Sequence, residues 1–80
     1  MAGENIEVFA AFSKSGGFKP QAFKYGQQVY KVAKVDLQYS VKQGASKLYV
    51  FNVSDEVNSW VLSFDTGTMK WNLQNHAIFS

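Results

Sequence analysis

The sequence contains no cysteine and no arginine, and it has a single proline and a single histidine. Without cysteine, neither a disulfide framework nor a thiolate metal site can stabilise the fold, so the core must be built from apolar side chains alone. No apolar run approaches the roughly 20 residues that span a bilayer. Residues 1–5 are neither basic nor apolar, so we expect no signal peptide, no membrane partner and a cytoplasmic location.

Apolar residues make up 46% of the 80 residues and aromatic residues 16%, which is enough for one small folded domain over residues 1–80. The charge is uneven: residues 13–47 carry seven of the eight lysines against Asp36 as the one acid. Arginine is the side chain suited to a bidentate grip on phosphate or guanine, and lysine offers only a point charge. The composition therefore argues against a protein that reads a nucleic-acid sequence base by base.

Apolar positions recur mostly with a period of two, and valine, phenylalanine, tyrosine and tryptophan dominate them, which favours strands. Residues 6–12 are interpreted as a strand; a helix there would make the class α+β instead. Residues 13–21 are interpreted as a loop and residues 22–74 as the core. We predict an all-β domain of five to six antiparallel strands in a meander, forming a strongly bent sheet or small open barrel.

The longest extended run is predicted over residues 28–43, after a type II′ hairpin turn that begins at Gly26. Its apolar side chains change phase. Tyr30 and Val32 share one face, whereas the following ones take the other parity: Val35, Leu37, Tyr39 and Val41. A strand cannot change its buried face without an irregularity. We therefore expect a bulge or sharp bend near Lys34.

Further turns are predicted at residues 43–46, 55–58 and 65–68, the last being a type I turn closed by Gly67 in the left-handed region. The strand at 47–54 is apolar on both faces and is expected to be central. Across the last hairpin, one apolar face is expected to meet another, formed by Trp60, Leu62 and Phe64 against Met69, Trp71 and Leu73. Residues 74–80 either extend the last strand or form a short turn.

One pattern resembles a family of short, uncharacterised prokaryotic all-β domains. It runs from Pro20 through Phe23, Tyr25, Gly26, Tyr30, Val32 and Val35 to Tyr39, and ends on Trp71 and Leu73. The resemblance covers roughly residues 20–74 and implies the all-β fold. It also implies a link to nucleic acid, because members sometimes lie beside or within DNA-repair polymerase proteins. This sequence departs from the family in lacking arginine and in having tyrosine at 25 and 39, where tryptophan is common.

Residues suited to catalysis are few, so we predict that the protein is not an enzyme and has no cofactor. His76 is the one histidine, and no serine or threonine near it forms a recognisable nucleophile motif. Asp55, Glu56 and Asp65 are the one acidic cluster, and a calcium loop would need more oxygen ligands at fixed offsets. No metal site is expected.

The expected role is an accessory domain that binds a macromolecule. Single-strand binders combine a positive groove with aromatic side chains on which bases stack. The long hairpin offers such a mixture, and the candidate residues are Lys24, Tyr25, Lys31, Lys34, Tyr39, Lys42 and Lys47. The partner predicted from them is single-stranded nucleic acid. The alternative is a module for protein–protein interaction or self-association, a homodimer included, that uses exposed aromatics and edge strands.

Overall fold

The computed structural model describes residues 4–15 and 17–78, which form strands and turns with no helix among them. The all-β prediction is confirmed. The strands are β1 (Glu4–Phe12), β2 (Phe18–Tyr25), β3 (Gln28–Lys31), β4 (Lys34–Gln43), β5 (Ser46–Ser54), β6 (Asn58–Asp65) and β7 (Lys70–Ile78). Residues 6–12 are therefore strand. The last strand extends to Ile78, and residues 79 and 80 lie outside the described part.

The seven strands form one antiparallel sheet in the order β3-β2-β1-β7-β6-β5-β4. β3 and β4 are consecutive in the chain yet lie at opposite edges, so the sheet curls into a half-barrel. The two residues between them hold both edges. The Val32 N–H donates to the Gln21 carbonyl in β2 at 2.9 Å, and the Ala33 N–H donates to the Ser54 carbonyl in β5 at 3.0 Å.

The predicted irregularity near Lys34 is present, and it has two parts. The run 28–43 is interrupted at residues 32–33, which divides it into β3 and β4 and gives seven strands rather than the predicted five or six. The pairing of β4 with β5 then shifts at Asp36, between Val35 and Leu37.

Because of this bulge, the prediction that Val35 shares one face of the strand with Leu37, Tyr39 and Val41 is wrong. Val35 lies opposite Val53 and packs against the core. Beyond the bulge the other side of the strand carries the apolar residues. Leu37, Tyr39 and Val41 are consequently 52%, 47% and 44% exposed, and they do not share the face of Val35 as predicted.

The core lies inside the curl. Its buried members are Phe23, Phe51, Val53, Trp60, Leu62 and Leu73. Phe18 reaches across the curl and packs edge-on against Phe51 with ring centroids 5.6 Å apart. Trp60 packs edge-on against Phe23, with ring centroids 5.0 Å apart. Aromatic pairs at these separations contribute beyond their buried area, which suits a cysteine-free domain.

The β2 strand begins earlier than predicted. Phe18 starts it, so residues 18–21 are strand rather than loop, and Pro20 lies within β2 instead of before it. Pro20 is buried opposite Ala10, where the pairing of β1 and β2 shifts register. A proline is tolerated there because a bulge already interrupts the ladder of backbone hydrogen bonds.

Two tight turns follow from glycine, as predicted for the first of them. Gly26 and Gly44 have φ angles of 65° and 59° and open the two-residue loops before β3 and β5. The turn before β7 differs from its prediction. Met69, with φ 58°, takes the left-handed position expected for Gly67, and its N–H donates to the Asp65 carbonyl at 2.7 Å. Met69 is therefore exposed and does not face inward with Trp71 and Leu73.

Residues 4–15 and 17–78 contain no helix that is long and apolar enough to cross a membrane.

Candidate nucleic-acid interface

A concave surface of about 560 Å³ lies on the outside of the half-barrel, at the bend between β3 and β4. Three lysines line it: Lys19, Lys31 and Lys34. Its remaining lining residues are Phe9, residues 20–22 of β2, residues 32–33 and Val35. We call this surface the basic depression.

The alternation of the strands explains why these lysines converge. Phe23 and Tyr30 lie opposite each other and face the core, so Ala22 and its partner Lys31 face outward. Lys34 lies opposite Ser54, next to the inward-facing pair Val35 and Val53, so it also points outward. Lys31 and Lys34 thus reach one surface although three positions separate them.

Lys19 reaches the same surface from β2. It pairs with Ala11, between the inward-facing Phe18 and Pro20. The chain at the centre of the depression is fixed, because Val32 and Ala33 are hydrogen-bonded to β2 and β5 respectively. The lysines therefore project from a backbone held on both sides.

The depression is positively charged. Within the described residues the one ion pair shorter than 4.0 Å joins Lys34 Nζ to Asp36 Oδ1 at 3.5 Å, and it is exposed to solvent. Exposed pairs of this kind contribute little. No described carboxylate lies within that distance of Lys19 or Lys31, so both ammonium groups are available to an anionic ligand.

Phe9 supplies an aromatic face at the rim. Its side chain is 59% exposed and lines the depression beside Lys19 and Lys31. It projects outward because Val8 and Ala10, its neighbours in β1, take the opposite side of the strand. A phenyl ring in this position can stack on a base while the lysines contact phosphates.

The seven residues proposed from the sequence do not form one surface. Lys31 and Lys34 line the basic depression, and Lys24 is exposed on the same outer side of β2, opposite Glu7. Tyr25 is half-buried and packs against the core. Tyr39 is exposed on the outer side of β4 and is not among the residues that line the depression.

Lys42 and Lys47 form a separate basic site at the tip of the β4–β5 hairpin. They lie directly opposite each other. Lys47, Tyr49 and Phe51 follow one another at intervals of two residues in β5, so their side chains lie on the same side of the sheet. Lys42, opposite Lys47, lies on that side too, and Tyr49 and Phe51 pack there against the core. The basic stripe proposed for the hairpin is thus divided between two places.

Sequence reasoning missed Lys19 and Phe9. Lys19 falls in the loop predicted over residues 13–21, although the spacing of Phe18 and Pro20 indicates the alternation of a strand. The strand interpretation of residues 6–12 places Phe9 on the side opposite Val8 and Ala10, and this alternation is the signal that could have identified its ring as exposed. What could not be read from the sequence is that β1 and the bend lie side by side.

A second polar cluster connects the turn at residues 55–58 to β7. The Asp55 carboxylate accepts hydrogen bonds from the backbone N–H groups of Val57 and Asn58 at 2.8 and 2.7 Å. These bonds, that from Val57 first, hold the pKa of Asp55 below its usual value. Asn58 Oδ1 lies 2.9 Å from Nε2 of His76, whose ring stacks on Trp60 at 5.7 Å. The cluster closes a turn and covers the indole, which accounts for every contact named.

No group of three metal-ligating side chains is present in residues 4–15 and 17–78. Comparison of the chain with protein-family models, with curated proteins and with solved structures finds no match. The resemblance drawn from the pattern of residues 20–74 thus stays a prediction.

Proposed function

We propose that this chain is a non-enzymatic, cytoplasmic accessory domain that binds single-stranded nucleic acid in the basic depression. The observation that carries the proposal is the convergence of Lys19, Lys31 and Lys34 around a concave surface whose rim holds the exposed ring of Phe9. Positive charge beside an exposed aromatic ring is the combination that single-strand binders use. The resemblance to a family found beside DNA-repair polymerases supports the same class of ligand.

The chemistry of the depression suits binding without sequence preference. Lysine ammonium groups attract phosphates but do not recognise the paired acceptors of guanine, which arginine would bind bidentately. One phenyl ring accepts any base by stacking. A single strand is favoured over a duplex because stacking on Phe9 requires an unpaired base.

Salt dependence is the first test. With three phosphates neutralised, the logarithm of the binding constant should fall with the logarithm of salt concentration with a slope of about −2. Fluorescence anisotropy of a labelled oligothymidylate, titrated at several salt concentrations, measures this slope. An affinity that does not respond to salt would exclude the proposed contacts.

Variants locate the site. Lys31→Gln should reduce the magnitude of the salt slope by about 0.7, since one phosphate contact is lost. Phe9→Ala should weaken binding on the order of tenfold without changing the slope, because stacking on one base is lost. Lys70→Gln is the matched control, since Lys70 is exposed on β7 and does not line the depression. If Lys42→Gln and Lys47→Gln reduce the magnitude of the salt slope and Lys31→Gln does not, the hairpin tip is the binding surface instead.

A further inference from the structure

The free edge of β4 is a second surface, and its features do not depend on nucleic-acid binding. Within the described residues β4 pairs with β5 and with no other strand. An edge strand presents unpaired backbone N–H and C=O groups that can pair with another chain. Beyond the bulge at Asp36, β4 also carries the three half-exposed apolar side chains Leu37, Tyr39 and Val41 on its outer side.

This apolar side continues inward from the edge. Tyr39 lies opposite Val50, which is buried, and Val41 lies opposite Leu48, which is half-buried. Val50 in turn lies opposite Ser63 of β6. The patch therefore ends towards the centre of the sheet in polar residues, and it is open at the β4 edge. What would complete it is one more strand beside β4.

The sequence of β4 indicates which strand. Residues 36–42 read Asp-Leu-Gln-Tyr-Ser-Val-Lys, with a negative charge at one end and a positive charge at the other. If two copies pair antiparallel with Tyr39 opposite itself, Leu37 of each copy lies opposite Val41 of the other. The same register places Lys42 opposite the bulged Asp36 at both ends, where the Asp36 carboxylate, 3.5 Å from Lys34 Nζ, can accept a second lysine. Directly opposite residues point to the same side of a sheet, so each of these pairs can form contacts.

Neighbouring registers lose this match. Moving the partner by two residues in one direction places Asp36 opposite Ser40, which removes both Asp36–Lys42 pairs, and places Val41 opposite Val35, which packs against the core. Moving it by two residues in the other direction places Leu37 opposite Gln43 and Lys42 opposite Gln38, so the apolar contacts are reduced and neither charge is paired. A shift by a single residue would join the outer side of one copy to the inner side of the other.

We propose that the β4 edge is the interface of a symmetric homodimer, in which two copies pair antiparallel about Tyr39. The two-fold axis passes through the sheet at Tyr39, and the outer faces of both copies form one surface. The interface is closed, because the same edge serves both copies and is used up when they pair. Two Asp36–Lys42 pairs flank the central ladder and fix its register.

Charge reversal tests the pairing in solution by sedimentation velocity over a range of concentrations. Wild-type protein should be dimeric. Asp36→Lys and Lys42→Asp should each weaken dimerisation by at least about tenfold, because each replaces two attractive pairs by two repulsive ones. An equimolar mixture of these two variants should form a heterodimer, since every charge at the interface is then paired again.

The matched control is Lys47→Asp. Lys47 lies directly opposite Lys42 on the same side of the hairpin, but it belongs to β5, which is an interior strand. It makes the same change of charge, but it can weaken dimerisation only by competing with Asp36 for Lys42, so its effect should be much smaller than that of Lys42→Asp. Far-ultraviolet circular dichroism checks that each variant keeps its strands, so that loss of association is not loss of folding.

Single cysteines test the register directly, since the protein has no cysteine of its own. Tyr39→Cys should form a disulfide-linked dimer on mild oxidation, because residues directly opposite in an antiparallel pair have Cα atoms about 4.5–5.5 Å apart. Leu37→Cys and Val41→Cys should each cross-link poorly alone and efficiently when mixed.

Three results would overturn the proposal. The first is a wild-type protein that stays monomeric at several hundred micromolar, which would leave the β4 edge to a strand of another protein. The second is dimerisation that Lys42→Asp and Lys47→Asp weaken equally. The third is cross-linking that is the same at 37, 39 and 41. None of these results depends on nucleic acid, so this proposal and the proposed function fail separately.

Discussion

β4 and β5 are adjacent, antiparallel and similar in length, yet they differ in almost every side-chain environment. In β5, Val50, Phe51 and Val53 are buried, whereas every described residue of β4 except Val35 is exposed. β5 has a neighbour on each side, and β4 has one on a single side. A small domain can therefore place its stability in interior strands and leave a complete strand free for other contacts.

Truncating one side chain in each strand should show the difference between β4 and β5 most clearly. Phe51→Ala should lower the free energy of unfolding by about 3–5 kcal/mol, because Phe51 is fully buried and a cavity would remain. Leu37→Ala, across the hairpin, should cost about 1 kcal/mol or less, since half of Leu37 is already in water. Urea unfolding followed by tryptophan fluorescence, at protein concentrations low enough to keep the chain monomeric, measures both. Similar losses for the two variants would mean that β4 contributes to the core as much as β5.

The turn that joins the two strands offers an intermediate effect. Gly44→Ala should destabilise the protein by about 1–2 kcal/mol, because φ 59° is costly for a residue with a Cβ. No atom lies within 4 Å of the position an added Cβ would take, so backbone strain alone is tested. Gly44→Asn should lose less, since asparagine tolerates this region. Should the alanine variant unfold at the same urea concentration as the wild type, the turn does not require glycine.

The turn after β5 provides the smallest effect and one that depends on pH. The Asp55 pKa is lowered by backbone hydrogen bonds, so the folded state favours the carboxylate. The stability from Asp55 is therefore present above the unfolded pKa of about 3.9 and is lost as the pH falls through the folded pKa. Urea midpoints between pH 2 and 7 should decline less steeply for Asp55→Asn than for the wild type. Glu56→Gln, one residue further along the same turn, serves as the control and should keep the wild-type slope.

Much of the fold follows from alternation and turn chemistry in the sequence. The change of phase between Val32 and Val35 predicts a break near Lys34, and the structure has one. Gly26 predicts the first hairpin, and its φ of 65° agrees. These features are local, because a strand's face and a turn's backbone angles depend on nearby residues.

The features that could not be predicted depend on pairing between strands. Asp36 is an ordinary aspartate in the sequence, and it becomes a bulge only because β4 must register against β5. A proline usually ends a strand. Pro20 lies within β2 because a shift in the pairing with β1 accommodates it. The basic depression has the same origin, since Lys19, Lys31 and Lys34 come from two strands and a bend.

The pairing of β1 with β7 has a consequence for synthesis of the chain. Ile6 lies opposite Trp71, and Glu4 lies opposite Leu73, so the first strand finds its second neighbour in the last one. A nascent chain emerging from the ribosome can pair β1 with β2, β2 with β3, and β4 to β6 with one another early. It cannot join these two parts of the sheet until β7 has emerged. Contacts so distant in sequence slow folding. Until then β1 is paired with β2 alone and its other edge has no strand beside it, and that interval is when the protein is most exposed to aggregation.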